Sequence, residues 1–168
     1  MAKISLIKRK DNVKTLSVKK MYTQKEMAYL KELSDGEQLC VDKYSMYAQK
    51  ASNANLKNLF CSLQQAEEKH LTAINSLQSK PTSQTKPCHV DTSSASNSYN
   101  SQDECYQNDK YLCSDALTSV KHIASVYNTA IFEFRDANIR EKLNSMQKTE
   151  QCHGKQIYDF MSANNMYS

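Results

Sequence analysis

The chain has 168 residues with a formal net charge of +4, two Gly, two Pro and six Cys. That length holds one ordinary domain. So few Gly and Pro exclude all-β folds, which need a turn about every 8–12 residues, and the isolated Gly36 and Gly154 exclude Gly-rich phosphate loops. No run approaches the roughly 18 apolar residues of a membrane span, which leaves long helices.

The first ten residues, MAKISLIKRK, carry charge where a signal peptide needs its apolar stretch, so synthesis and folding in a cytoplasm are expected. Residues 1–20 hold Lys3, Lys8, Arg9, Lys10, Lys14, Lys19 and Lys20 against Asp11 alone. The plain expectation is a solvated basic tail, and the sharper one is docking on an anionic partner or surface. Thr23-Gln-Lys-Glu26 is a capping-box pattern and predicts a short helix to about Leu33. Ser34-Asp-Gly-Glu37 repeats the pattern and predicts a second, longer helix. Val41, Tyr44, Ala48 and Ala51 keep three-and-four spacing along one face. Asn53–Asn55 break the stripe, and Leu56, Phe60, Leu63, Ile74 and Leu77 resume it until Pro81.

Residues 81–110 are dominated by Ser, Thr, Asn, Gln and Asp and predict a linker or long surface loop. Helical spacing returns from about Asp115 and runs to Phe160, with a break near Asp136–Asn138. In Ala163-Asn-Asn-Met-Tyr167 an Asn suits the left-handed cap of a terminating helix.

The two helical halves are copies at a shift of 83 residues, without a gap. Tyr44 falls on Tyr127, Leu56 on Ile139, Lys57 on Arg140, Phe60 on Leu143, Glu67 on Glu150, His70 on His153, Ile74 on Ile157 and Leu77 on Phe160. Each half is a helix hairpin whose apolar stripe cannot be buried alone, so two hairpins pack as a four-helix bundle with approximate twofold symmetry. The expected boundaries are hairpin 1 at about 34–79, a polar crossover at about 80–110 and hairpin 2 at about 111–163, all within one domain over 21–167. A single long crossover gives the ferritin-like topology rather than an up-and-down bundle.

Glu67-Glu-Lys-His70 and Glu150-Gln-Cys-His153 are Glu-x-x-His units inside the apolar stripe. Residues i and i+3 share a helix face, so carboxylate and imidazole can grip one metal ion together, and polar groups in a core stripe are costly unless paired or metal-bound. A di-metal carboxylate site needs a further Glu from each of the other two helices. Glu37 supplies one, while its counterpart position holds Val120; Lys121 and His122 point roughly 100° and 200° away round the helix. The metal candidates are therefore Glu37, Glu67, His70, Glu150 and His153, a set incomplete at Val120. Carboxylates with imidazole favour Fe or Mn over Zn. Three expectations compete: a degenerate site whose Glu and His only hydrogen-bond across the core, a single bound metal, and a complete redox pair.

Glu37…Tyr44…Ala48…Ala51…Phe60…Glu67-x-x-His70 resembles the first hairpin of the rubrerythrin and ferritin-like superfamily. The finer resemblance is to the coat F family of bacterial spore coat proteins. It is carried by Thr23–Glu32, Asp35–Tyr44, Leu56–Phe60 and Glu67–His70, then by Val126–Phe134, Lys148–Gly154 and Met161–Tyr167. The resemblance covers about 21–79 and 111–167 and implies a bundle made in the mother cell and deposited in the spore coat, with no assigned activity. It also implies Glu where Val120 stands, so the chain departs from the pattern at a ligand position. Under this reading the protein is structural rather than an enzyme. It forms homo-oligomers or polymers with itself and other coat proteins, and no small-molecule substrate is evident. The alternative is a cytoplasmic ferritin-like metal-binding or redox protein, consuming peroxide or oxygen, with a mono- or di-metal carboxylate and His site.

The cysteines show no C-x-x-C and no spacing that reads as a disulfide framework. Cys61 and Cys152 lie off the apolar stripes and Cys88 and Cys105 in the linker, so these four are candidates for intermolecular disulfides. Cys40 borders the core face and packs as a small hydrophobe.

Overall fold

The computed structural model describes residues 22–81, 88, 98–99 and 103–167. The basic tail 1–20 lies outside the described residues, as does most of the polar stretch 82–102. Among the described residues every regular element is helical: α1 (Gln24–Lys50), α2 (Ala54–Leu77), α3 (Glu104–Glu133) and α4 (Ala137–Ala163).

Each helix begins at a side-chain cap that satisfies its first free N–H groups. Thr23 and Glu26 form the expected capping box on α1, with Thr23 Oγ1 accepting from the Glu26 N–H at 3.1 Å. Asn53 caps α2 and Asp136 caps α4, again 83 residues apart. Asp103 caps α3. Beyond α4, Asn165 takes the left-handed conformation (φ 56°), and its carbonyl accepts from the Tyr106 hydroxyl at 2.6 Å.

α1 packs along α2 and α3 along α4, each pair joined by three residues and therefore antiparallel. α1 also meets α3, and the residues that touch fix the direction. Lys25 pairs with Glu133 near one end, while Lys43 pairs with Asp115 toward the other. α1 and α3 are thus antiparallel, so α2 and α3 run the same way. The end of α2 and the start of α3 therefore lie at opposite ends of the bundle, separated by the length of α2, roughly 36 Å at 1.5 Å per residue.

The sequence-predicted boundaries shift in two places. The expected short helix and second helix are one continuous α1. Ser34 does not cap: its hydroxyl donates to Asn75 Oδ1 on α2 at 2.9 Å. Gly36 permits close approach rather than a break, since a Cβ there would lie 2.6 Å from Ile123 Cδ1. The crossover is also shorter than the expected 80–110, because α3 begins at Glu104 rather than near residue 111. Its first turns bury Tyr106 and Asp109, polar residues that a polarity reading assigns to the surface.

The repeat governs the loops as well as the core. Glu26 and Asp109 are buried carboxylates 83 residues apart, each in the early turns of the first helix of its hairpin. Glu26 accepts from the backbone N–H of Arg135, in the loop of hairpin 2, at 3.1 Å. Asp109 accepts from the backbone N–H of Ser52 at 2.8 Å and of Asn53 at 2.9 Å, in the loop of hairpin 1. Each hairpin therefore clasps the other's turn.

Two contacts fasten described points of the crossover to the bundle. The Tyr99 hydroxyl donates to Asp109 Oδ2, and Cys88 forms a disulfide with Cys61 on α2, their Cα atoms 5.5 Å apart. The expectation that Cys61 and Cys88 bond to neighbouring copies is corrected here, since they bond to each other. Cys61 lies on a partly exposed face of α2 that the crossover passes, a proximity that spacing along the chain does not reveal.

Candidate metal centre

Four helices each project a buried polar residue into the middle of the apolar core. Glu37 comes from α1, Glu67 and His70 from α2, and Glu150 and His153 from α4, while α3 contributes Tyr127. The i, i+3 spacing places each Glu–His pair on one face, and the antiparallel packing of α2 on α4 brings the two pairs together. Glu37, Glu67, His70 and Glu150 each offer a ligand atom within 4.8 Å of all the others. His70 Nδ1 stands 3.0 Å from Glu150 Oε1, 3.2 Å from Glu67 Oε2 and 3.5 Å from Glu37 Oε1. His153 Nδ1 stands 3.0 Å from Glu67 Oε1 and 3.6 Å from Glu150 Oε2. All five sequence-selected residues converge. Val120 is buried in α3, and Lys121 and His122 are exposed.

These approaches are close, but they are not hydrogen bonds. Both carboxylate oxygens of Glu67 and of Glu150, Oε2 of Glu37, and Nδ1 of both histidines have no hydrogen-bond partner. Buried charges left in that condition cost several kcal/mol unless a counter-charge or a metal takes the free lone pairs. Three carboxylates and two imidazoles make an oxygen and nitrogen donor set that suits Mn, Fe or Zn. The residues fit a divalent cation.

The local electrostatics are those of charges confined in apolar surroundings. Burial pushes the Glu37 carboxyl up from its ordinary value, helped by the neighbouring Glu67 and Glu150. Burial acts the same way on Glu67, but the two imidazoles outweigh it and hold that carboxyl low. For His70 and His153 burial works against the charged form, and the surrounding carboxylates overcome it and raise both.

The sequence reading missed the hydroxyl that faces this cluster. Tyr127 serves there only as a landmark of the repeat, yet its hydroxyl donates to Glu37 Oε1 and lies 3.5 Å from Met146 Sδ. Its repeat mate Tyr44 is fully buried with an unpartnered hydroxyl. The available signal was the pairing of Tyr44 with Tyr127 in the same stripe as the Glu and His residues.

The cysteines divide into three kinds. Cys61 and Cys88 are bonded to each other, so two of the four cross-link candidates are used within the chain. Cys105 and Cys152 are free and exposed, and Cys40 and Cys113 are free and buried. Burial raises the Cys113 thiol to about 12, with Asp109 adding to the shift, which keeps it in the unreactive form. No helix among the described residues is long and apolar enough to cross a membrane.

Fold and site together define an all-helical bundle with a carboxylate–imidazole cluster at its centre. Residues 108–168 match the family model described as the Coat F domain, a match that supports the coat F family. The matched segment takes in most of α3 and all of α4, so it contains Val120, Tyr127, Glu150 and His153 but not the residues of hairpin 1. No curated protein and no solved structure matches the chain.

Proposed function

We propose that the chain is a structural component of the bacterial endospore coat, built on a ferritin-like bundle that self-associates and assembles with other coat proteins. The observation that carries this reading is the Coat F match over residues 108–168. The arrangement of one long crossover between two antiparallel hairpins supports the ferritin-like assignment. Cys105 and Cys152 supply free exposed thiols on α3 and α4, positioned to join neighbouring copies once the mother cell's reducing cytoplasm is lost. Cys61 and Cys88 no longer belong among the cross-linking thiols, because their bond staples the crossover to α2.

The test is the location and covalent state of the chain in mature spores. The coat extract should contain it as multimers that collapse to monomer on reduction. A Cys105→Ser/Cys152→Ser double variant should run as monomer without reductant. Recovery from the spore core alone overturns the coat role, and multimers that survive in the double variant overturn the role of these thiols.

A second reading has its own observation, the buried donor set without hydrogen-bond partners. It makes the bundle a metal-binding protein in which Glu37, Glu67, His70, Glu150 and His153 hold Fe or Mn. Such a metal supplies one-electron redox chemistry toward peroxide or oxygen. The protein's own part would be to exclude water, through the surrounding Tyr44, Phe60, Leu63, Leu143 and Ile157, and to orient Glu37 through the Tyr127 hydroxyl. Reconstitution followed by an assay of peroxide consumption separates binding from turnover.

A further inference from the structure

The repeat predicts that whatever one half does at the centre, the other half does too, and at one pair of positions it does not. Tyr127 donates its hydroxyl to Glu37. Shifting both residues by 83 gives Tyr44 and position 120, where Val120 offers methyl groups instead of an acceptor. The result is visible in the core: the Tyr44 hydroxyl is buried without a partner, while its mate is hydrogen-bonded. A buried hydroxyl left in that state has given up its bonds to water without a replacement. Val120 is itself 3% exposed and packs toward α4, its Cγ1 lying 3.4 Å from where a Cβ on Gly154 would stand.

The same break divides the ligands. On one side, Glu37 and His70 are terminal donors that combine with Glu67 and Glu150, and all four reach a common centre. Donors on opposite sides of an ion with bonds of 2.0–2.2 Å lie about 4.0–4.4 Å apart, close to the 4.8 Å span of this group. On the other side, His153 is the single terminal donor, because the place of a second carboxylate is taken by Val120. An ion there would have to draw its charge balance from Glu67 and Glu150, which the first ion already uses.

We infer that the cluster is a one-ion site: Glu37, Glu67, His70 and Glu150 ligate a single divalent first-row cation, and Val120 closes the repeat-related position beside His153. His70 and His153 are then unequal despite their equivalent places in the repeat. His70 is a ligand, and His153 lines the shared carboxylates without holding an ion of its own. The inference rests on the metal-binding reading and is independent of the coat role.

The test uses the full chain stripped with a chelator, reloaded with Mn(II) and desalted, with metal counted by elemental analysis. Mn(II) is chosen because thiolates such as Cys105 and Cys152 hold it poorly. Wild type should retain about one ion per chain, and His153→Ala should retain the same. His70→Ala and Glu37→Ala should each weaken retention at least tenfold. Val120→Glu restores the missing carboxylate and an acceptor for Tyr44, and it should raise the count to about two. A folded Val120→Glu that stays at one ion overturns the closing role of Val120. Should that variant not fold, the contrast of His70→Ala with His153→Ala decides. Two ions in wild type, no ion in wild type, or equal losses from the two His variants each overturn the inference. A metal-free chain found in the coat would leave the coat role standing and end this one.

Discussion

The two hairpins are most alike at their turns and least alike at the centre. At the turns, Asp109 holds the loop of hairpin 1 and Glu26 holds the loop of hairpin 2, from equivalent positions in the repeat. At the centre, Glu37 faces Tyr127, whereas Val120 leaves Tyr44 without a partner. The turns must be held in both halves for the bundle to close, because a loop N–H buried without an acceptor destabilises the fold directly. The centre carries no such obligation, and one half can have Val where the other has a carboxylate while its apolar packing persists. Symmetry kept at the ends and broken in the middle separates what the fold requires from what the site does.

Breaking the clasps tests this separation, and the larger effect is expected at Asp109. Its carboxylate is fully buried and accepts from two loop amides and from the Tyr99 hydroxyl. Asp109→Ala leaves those amides buried and unpaired, so denaturant unfolding should show a loss of about 3 kcal/mol. A loss below about 1 kcal/mol would mean that water or a rearranged loop replaces the carboxylate.

Glu26 has the equivalent position but a different partner. Its carboxylate binds the Arg135 backbone N–H at 3.1 Å and the Arg135 side chain at 3.1–3.2 Å, and accepts from the Thr23 N–H at 2.6 Å. The Arg135 side chain is largely in solvent, which discounts the charge pair, and Glu26→Gln should cost about 1–2 kcal/mol at neutral pH. Burial alone would raise the Glu26 carboxyl, but the Arg135 and Thr23 donors outweigh it and lower it to about 2 from an ordinary 4.5. A carboxylate lowered on folding stabilises fully above its unfolded value, and the contribution fades as pH falls toward the folded value. The gap between wild type and Glu26→Gln should therefore shrink as pH falls from about 5 to 2. A constant gap across that range would show that shape rather than charge is what Glu26 supplies.

The periodic features were legible in the sequence. The shift of 83 residues identifies the hairpins, the apolar stripe and the five residues that converge, because each depends on helical spacing alone. What escaped was polar and non-local. Tyr106 and Asp109 read as linker because side chains that are buried to serve another hairpin's loop look like surface residues along the chain. Ser34-Asp-Gly-Glu37 read as a helix start because a capping pattern and a buried carboxylate of the core use the same residue types. The Cys61–Cys88 bond depends on the path of the crossover, which no local pattern encodes.

The smallest effects compare the two glycines, which sit on the two sides of the broken symmetry. A Gly inside a helix is destabilising by roughly 0.5–1 kcal/mol relative to Ala, so either substitution gains that amount if the methyl fits. At Gly36 it does not fit: the new Cβ would stand 2.6 Å from Ile123 Cδ1, in a core where Ile123 is 2% exposed. Displacing that side chain costs about 1–3 kcal/mol, and Gly36→Ala should lose about 1 kcal/mol net. At Gly154 the Cβ would meet Val120 Cγ1 at 3.4 Å and Leu117 Cδ1 at 3.8 Å, which are ordinary contacts. Gly154→Ala should therefore stabilise the fold by about 0.5 kcal/mol, read as a rise in the denaturant midpoint. The space beside Val120 thus accepts one more methyl where the space beside Ile123 does not, and a stabilised Gly36→Ala would contradict the close approach of α1 to α3.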